Sequence, residues 1–261
     1  MPPTLLPAAL VCLGVIAACW LLSVVTREYS WVDRIWSVVP AVYVWMFAAE
    51  AGWAPRSVGI AVLVTLWGAR LTFNFWRKGG YAPGGEDYRW KVLREKMPGW
   101  AYQVFNLTFI AAYQNVLLFL ISLPAWVVVA HPAPIGPLDL VAGLLFLGAL
   151  VGETVSDQQQ WRFYLARGRG ETTLPFNDTG IWAWSRHPNF FFEQSQWWIL
   201  MLFPLAAGAG AVHLGVLGAP LLTLLFLGST QFTEQISSSK YPAYAAYQKR
   251  TSMLVPWPPR G

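Results

Sequence analysis

The chain has 261 residues, of which 56% are hydrophobic and only 12% are charged. An ordinary soluble domain carries about twice that share of charged residues, so this composition excludes one. Sixteen tryptophans also favour a membrane location, because the indole ring prefers the headgroup region of a bilayer. The net charge of +5 does not indicate nucleic-acid binding, because the basic residues follow the loops instead of forming one patch.

Apolar windows of about 20 residues predict helices that cross a bilayer. We predict seven of them: 5–25, 35–50, 57–76, 104–129, 138–156, 190–208 and 212–232. Glycines and prolines separate these segments. We interpret the first as a retained helix and not a signal peptide, because no basic segment precedes it. The expected fold is an all-α integral membrane protein with seven transmembrane helices in a single domain, residues 1–261.

The basic residues predict the orientation of these helices. Lysines and arginines gather in the first, third and fifth loops and in the tail, whereas Arg56 is the basic residue of the intervening loops. Because cytoplasmic loops carry the excess of basic residues, we expect the N-terminus outside and the C-terminus in the cytoplasm.

Several kinds of site are not indicated by the sequence. Cys12 and Cys19 lie in the first apolar segment without partners elsewhere, so no disulfide framework is expected. No group of His, Cys and carboxylates has the spacing of a metal site, and we predict no metal. No glycine-rich phosphate loop follows a strand, so a nucleotide site would have to be built from helix ends and loops.

Four polar stretches fall on the predicted cytoplasmic side, namely 77–89, 153–160, 185–193 and 240–251. They combine arginines, carboxylates and amides. The planar guanidinium donates two hydrogen bonds to a phosphate at once, and carboxylates and amides suit ribose hydroxyls and a carboxamide. This mixture indicates a nucleotide with several phosphates. The simpler interpretation is a set of ordinary cytoplasmic loops.

A few polar residues lie within or at the edges of the apolar segments. The simplest role of Asp33 is a local ion pair with Arg34 or Arg27. Arg70 and Asn74 share one face of the third helix. Amides in the fourth segment, such as Asn115, either join helices by hydrogen bonds or line a pocket.

The segment 185–193, with Ser185-Arg186-His187-Pro188-Asn189-Phe190 and Glu193, resembles the RHPNYxGE signature of bacterial membrane proteins grouped with the steroid 5α-reductase C-terminal domain. Segments 67–71 and 86–89 are similar to that group's WGxRL…EDYR pattern. Segments 114–124, 153–159 and 241–257 resemble its further patterns. The resemblance covers about 33–256.

The resemblance implies an NADPH-dependent reductase of a conjugated enone, typically a 3-oxo-Δ4-steroid or similar lipid, in the inner membrane of a bacterium. Its cofactor site would face the cytoplasm, and its partners would be the lipophilic substrate and membrane lipid, without nucleic acid or an obligate protein partner. Isoprenylcysteine and phospholipid methyltransferases resemble the same RHPxY…E region. An S-adenosylmethionine-dependent methyltransferase of a lipid or prenylated substrate is therefore the alternative, and a non-enzymatic membrane protein that binds a partner is a third.

The resemblance also implies roles for individual residues. Asp33 corresponds to a glutamate that holds the steroid ketone, and Trp67 fills the position of a tyrosine that does the same. Indole donates a hydrogen bond but is not an ordinary acid, and Phe192 stands where the signature has glycine. The implied cofactor-binding residues are Arg70, Arg77, Lys78, Asp87, Tyr88, Asp157, Arg186, His187, Asn189, Glu193, Tyr241, Tyr244 and Arg250.

Overall fold

The computed structural model describes residues 3–260, and within this range the chain is helical without a β-strand. Twelve α-helices follow one another: α1 (Leu5–Thr26), α2 (Trp31–Ile35), α3 (Val39–Glu50), α4 (Pro55–Arg77), α5 (Tyr88–Lys96), α6 (Gly99–Phe105), α7 (Gln114–Val129), α8 (Pro137–Gly168), α9 (Pro188–Leu200), α10 (Leu202–Ala206), α11 (Gly218–Lys240) and α12 (Tyr244–Arg250). A π-helix, Asn106–Tyr113, joins α6 to α7, and short 3₁₀ turns cover Gly180–Ala183 and Leu214–Val216.

The described chain divides into two compact units. The first unit comprises residues 3–143 and 200–221, and the second comprises 144–199 and 222–260. The core of the first unit is formed by α3, α4 and α7, with large buried side chains such as Tyr43 and Phe47.

Five helical stretches are long and apolar enough to cross a membrane: Leu5–Thr26, Pro55–Arg77, Gly99–Val129, Pro137–Gly168 and Leu214–Lys240. They overlap five of the seven predicted segments. The chain is therefore an all-helical protein with the helices of a multi-pass membrane protein.

The two remaining predicted segments are shorter as helices. The segment predicted at 35–50 begins only at Val39, after a break that separates α3 from α2. The segment predicted at 190–208 is divided at Met201 into α9 and the five-residue α10, which ends at Ala206. At 1.5 Å per residue, the 12-residue α3 is about 18 Å long, less than the roughly 30 Å of a hydrocarbon core.

The helix predicted at 138–156 is longer than expected, because α8 continues to Gly168. The predicted end at 156 lies within the polar stretch 153–160. Glutamine, glutamate and arginine are nevertheless good helix formers, and the hydrogen bonds of a helical backbone do not depend on an apolar side chain. The polar segment 153–160 is therefore helical throughout.

Candidate functional site

In the second unit, the loop before α9 is held at its start by Gly180. This glycine has φ +61°, and a Cβ atom there would lie 2.5 Å from Oε1 of Gln159. Only a residue without a side chain combines that conformation with that approach. The backbone N–H of Ile181 donates to the same Gln159 oxygen at 2.9 Å, and the indole N–H of Trp182 donates to the carbonyl of Ser156 at 3.0 Å. The loop is thereby fixed against α8.

The C-terminal segment holds the same loop from a second direction. The hydroxyl of Ser185 donates to the carbonyl of Leu254 at 2.7 Å, and the Arg186 N–H donates to the carbonyl of Ser252 at 2.9 Å. The Tyr247 hydroxyl donates to the carbonyl of Trp182, and burial raises the pKa of this phenol. The signature residues 185–187 therefore sit in a loop with a defined conformation.

Arg186, a predicted phosphate ligand, uses four hydrogen bonds within the protein. Its Nε and Nη2 donate to the two carboxylate oxygens of Glu234 at 2.6 and 3.0 Å, and Nη1 donates to the carbonyls of Gln248 and Thr251. His187 Nε2 lies 3.2 Å from Oε1 of Glu234, and the Gln248 amide donates to Oε2 at 2.8 Å. Glu234 is thus the common acceptor of this cluster, and Arg186 is an anchor of the loop.

Two of the predicted cofactor residues, Asp157 on α8 and Glu193 on α9, are buried. Asn189 lies in the first turn of α9 and is half-buried. On the same helices, the Gln196 amide donates to Glu153 Oε2 at 2.7 Å. Burial of a carboxylate among apolar helices costs free energy. These buried carboxylates therefore indicate a candidate functional site in the second unit.

Phe192, the departure from the signature, packs against a glycine of α8. A Cβ atom at Gly152 would lie 2.5 Å from Cε1 of the Phe192 ring. The absence of a side chain at position 152 therefore makes room for the ring at position 192.

The predicted cofactor residues of the tail belong to an aromatic cluster around Phe176. Tyr244 meets the Phe176 ring edge-on, with centroids 5.1 Å apart, and the Tyr241 ring centroid lies 6.3 Å away. The guanidinium of Arg250 pairs with Asp178. These residues hold the segment after Pro175 against α12.

In the first unit, Asp33 does not pair with Arg34. Arg34 forms an ion pair with Glu28 at 2.6 Å, whereas Asp33 Oδ2 accepts a hydrogen bond from the indole N–H of Trp90 at 2.7 Å. Burial raises the pKa of the Asp33 carboxyl and the nearby Asp87 carboxylate adds to the rise, while the hydrogen bond from Trp90 opposes it. The predicted local ion pair is therefore replaced by contact with α5.

Asp87 is the N-cap of α5. Its carboxylate accepts from the backbone N–H of Arg89 at 2.9 Å and pairs with the Arg89 guanidinium at 2.8 Å. The Asp87 N–H donates to the hydroxyl of Ser30 at 2.9 Å, and the Tyr29 N–H donates to Glu86 at 2.7 Å. The segment 86–89 is thus bound to the turn before Asp33. Tyr88 is exposed.

The other predicted residues of the first unit lie along α4. Trp67 is fully buried, and its neighbour Gly68 lets the helix approach the carbonyl of Ser37 more closely than a side chain would permit. Arg70 is partly buried. The Arg77 guanidinium donates to Asn74 Oδ1 at 2.7 and 3.0 Å, and Lys78 is exposed at the end of the helix.

Sequence reasoning missed three residues that organise these clusters: Glu234, Gln248 and Trp90. Glu234 is an acidic residue near the end of an apolar helix, and that isolation was a usable signal. Gln248 and Trp90 had no such signal, because amides and tryptophans are common elsewhere in the chain. Among residues 3–260, no three His, Cys, Asp or Glu side chains are grouped so as to hold a metal ion.

The chain is similar to a protein family of unknown function and to an uncharacterized protein. The family described as "Protein of unknown function (DUF1295)" matches residues 19–251 of the chain. An uncharacterized protein of Schizosaccharomyces pombe is 36% identical over 258 residues, which cover 91% of this chain and 75% of that protein. No solved structure matches the chain. Neither description names a ligand or a reaction.

Proposed function

The chain belongs to the DUF1295 family, and we propose that it is an NADPH-dependent membrane reductase of conjugated enones, such as a 3-oxo-Δ4-steroid or a similar lipid. The observation that carries the proposal is the set of buried carboxylates and amides on α8, α9 and α11 of the second unit, which includes Asp157, Glu193 and Glu234. Polar groups within apolar helices are costly, and they persist mainly where a polar ligand is held.

The donor and acceptor groups of the second unit fit such a nucleotide. The side-chain oxygens of Gln160, Gln194 and Thr230 are buried without a hydrogen-bond partner among the described residues. Amide oxygens of this kind accept from ribose hydroxyls and from a carboxamide N–H. Asp157, Asn189 and Glu193 are the proposed contacts to the nucleoside parts, and His187 is a proposed contact to phosphate. Arg186 serves as the anchor of their loop.

When bound, NADPH would supply the hydride that adds to the β-carbon of the enone. In this proposal Asp33 and Trp67 act on the ketone. Negative charge develops on the ketone oxygen during the addition, so a hydrogen-bond donor directed there lowers the barrier. Asp33 in its protonated form is the proposed hydrogen-bond donor, and the enolate formed by hydride addition takes the proton that completes the saturated ketone from water at its α-carbon. Trp67 is proposed to position the ketone through its indole N–H.

The proposal includes a topology of seven spans, with the N-terminus outside and the C-terminus in the cytoplasm. Besides the five long helices, it assigns one span to the predicted segment 35–50, which begins at the end of α2 and contains α3, and one to α9 with α10. What supports it is the alternation of basic residues between loops. On the resemblance to bacterial reductases, we propose a bacterial inner membrane as the location, with Arg77 and Lys78 on its cytoplasmic side as further phosphate contacts.

Binding of NADPH to the purified full chain tests this proposal. Asn189→Ala and Glu193→Ala are each expected to weaken NADPH binding about tenfold or more, since each removes a hydrogen bond to a polar ligand. Ser195→Ala is a matched control on the same helix, because among the described residues its hydroxyl donates to the carbonyl of Phe191 alone. Thermal melting of each variant separates lost binding from lost folding.

Product analysis with a 3-oxo-Δ4-steroid then tests the reaction. Formation of the saturated ketone with matching NADPH consumption supports the reductase. Unchanged NADPH affinity in both α9 variants rejects the cofactor site. Binding of S-adenosylmethionine, with methyl transfer to a lipid, would establish the methyltransferase instead.

A further inference from the structure

The second unit contains a cavity of about 330 Å³ beside the C-terminal end of α12. Among residues 3–260, its wall carries four cationic side chains, from Arg186, Lys249, Arg250 and Arg260, and no carboxylate. Pockets of roughly 300 Å³ or more are large enough for small ligands. The positive charge of these side chains favours the binding of an anion.

Two of the four cations are already neutralised. Arg186 pairs with Glu234, and Arg250 pairs with Asp178. Lys249 and Arg260 form no ion pair within the described range, residues 3–260. They leave the cavity with an excess of two positive charges, which matches the charge of about −1.5 to −2 that a phosphomonoester carries at neutral pH.

The wall of the cavity is held in place by the backbone. The N–H of Trp257 donates to the carbonyl of Trp184 at 2.9 Å, and the N–H of Arg260 donates to the carbonyl of Arg250 at 2.8 Å. These bonds hold the tail, residues 252–260, beside the loop that precedes α9, residues 180–187, which we call the signature loop. Arg260 and the other wall residues of the tail lie beyond residue 251, where the family match ends, whereas Arg186 and residues 248–251 of the wall lie within it.

We propose that this cavity binds a phosphomonoester, whose source is either the 2′-phosphate of a soluble nucleotide or the headgroup of an anionic lipid. The guanidinium of Arg260 would bind two phosphate oxygens at once, and Lys249 would supply the second charge. The nucleotide source rests on the proposed function, because that phosphate distinguishes NADPH from NADH. The lipid source is independent of it.

Two binding experiments on the purified full chain in phosphatidylcholine nanodiscs separate the sources. The first measures the affinities for NADPH and NADH. The second adds phosphatidic acid to the nanodiscs and measures its enrichment over phosphatidylcholine around the protein. Arg260→Gln and Lys249→Gln are the variants, and both residues are exposed. Arg162→Gln is the control, because it removes the same charge from an exposed position that does not line the cavity.

A nucleotide source predicts that Arg260→Gln weakens NADPH binding about tenfold and leaves NADH binding unchanged, since a charge-assisted hydrogen bond is lost. A lipid source predicts that the same variant lowers the enrichment of phosphatidic acid, with NADPH affinity preserved. If the wild-type chain binds no NADPH but its enrichment of phosphatidic acid depends on Arg260, the reductase proposal fails and the phosphate site stands. If both variants behave like Arg162→Gln in both measurements, the cavity is not a phosphate site.

Discussion

Arg186 and Glu234 form a buried, bidentate ion pair that joins the signature loop to α11. Each side chain is 8% exposed, and the two N–O distances are 2.6 and 3.0 Å. His187 and Gln248 converge on the same carboxylate. Removal of a buried carboxylate that accepts from several charged or polar donors strongly destabilises a protein, because those donors are left unpaired.

Glu234→Gln is therefore expected to destabilise the protein by about 3 kcal/mol or more, since the charge of Arg186 stays buried without compensation. The thermal melting temperature of the purified protein measures this change. The same variant is expected to weaken NADPH binding, because the loop that carries His187 and leads into α9 loses its anchor.

Glu171→Gln is the matched control for that variant. Glu171 also pairs with an arginine, Arg169, but both side chains are more than half exposed. Exposed ion pairs contribute about 0–1 kcal/mol, so little change in melting temperature is expected. Equal effects of the two substitutions would contradict a structural role for Glu234.

The contact between Gly152 and Phe192 gives a second prediction. Gly152→Ala is expected to destabilise the protein by about 1–3 kcal/mol, because the added methyl group overlaps the Phe192 ring. Gly148→Ala on the same helix is the control. A Cβ atom at Gly148 meets nothing within 4 Å, so the helix propensity of alanine is expected to leave stability unchanged or raise it by up to about 1 kcal/mol.

A double variant checks that the ring is the cause. Phe192→Leu with Gly152→Ala is expected to recover part of the stability lost in Gly152→Ala alone, with a coupling of about 0.5–3 kcal/mol in the double-mutant cycle. Additive effects would show that the methyl group at position 152 meets something other than the ring.

The helical class and the membrane character of the fold could be predicted from hydropathy, because long apolar segments need no knowledge of distant contacts. Hydropathy does not show the breaks between α2 and α3 and at Met201, because apolar residues continue across both, but Pro40 and Pro204 in the first turns of α3 and α10 were usable signals for them. The partner of Phe192 was equally hidden. Gly152 and Phe192 lie far apart in sequence, and no periodicity links a glycine in one helix to an aromatic ring in another.

Arg56 shows a further limit of the sequence pattern. We counted it as an outer-loop charge, but it lies in the first turn of α4 and is buried with Asp139. Its Nε and Nη2 donate to Asp139 at 2.6 and 2.8 Å, and further donors reach the carbonyls of Ala133 and Pro134. Asp139 is an isolated acid at the start of an apolar segment, and this complement to Arg56 was a signal in the sequence.

Arg56→Lys is expected to destabilise the protein by about 1–3 kcal/mol although the charge is kept, because an ammonium group does not reproduce the planar fork that reaches Asp139 and two carbonyls. Thermal melting measures the loss. Arg169→Lys, in an exposed pair with Glu171, is expected to leave the melting temperature nearly unchanged. A melting temperature of Arg56→Lys equal to that of the wild type would show that charge alone maintains the contact.

Asp33 gives a prediction about stability and pH. Burial raises the pKa of its carboxyl in the folded protein, so the folded state holds this proton more tightly than the unfolded chain. The carboxyl therefore costs stability as pH rises above the ordinary aspartate value of about 3.9. Asp33→Asn is expected to raise the melting temperature at pH 7 and to have a smaller effect near pH 4. Glu95→Gln, at an exposed position of α5, is the control expected to show no such pH dependence.

The same carboxyl gives a prediction about activity. If protonated Asp33 donates to the ketone oxygen, enone reduction falls as pH rises through the raised pKa of this group. The hydrogen bond from Trp90 lowers that pKa, so Trp90→Phe is expected to move the alkaline limb of the rate profile to higher pH.

Asp33→Asn is expected to remove the limb and to slow reduction by about 10²-fold or more, as for a lost general acid, with NADPH affinity little changed. The rate of NADPH oxidation across pH measures both effects, and an alkaline limb at the same pH in all three proteins would remove Asp33 from the reaction.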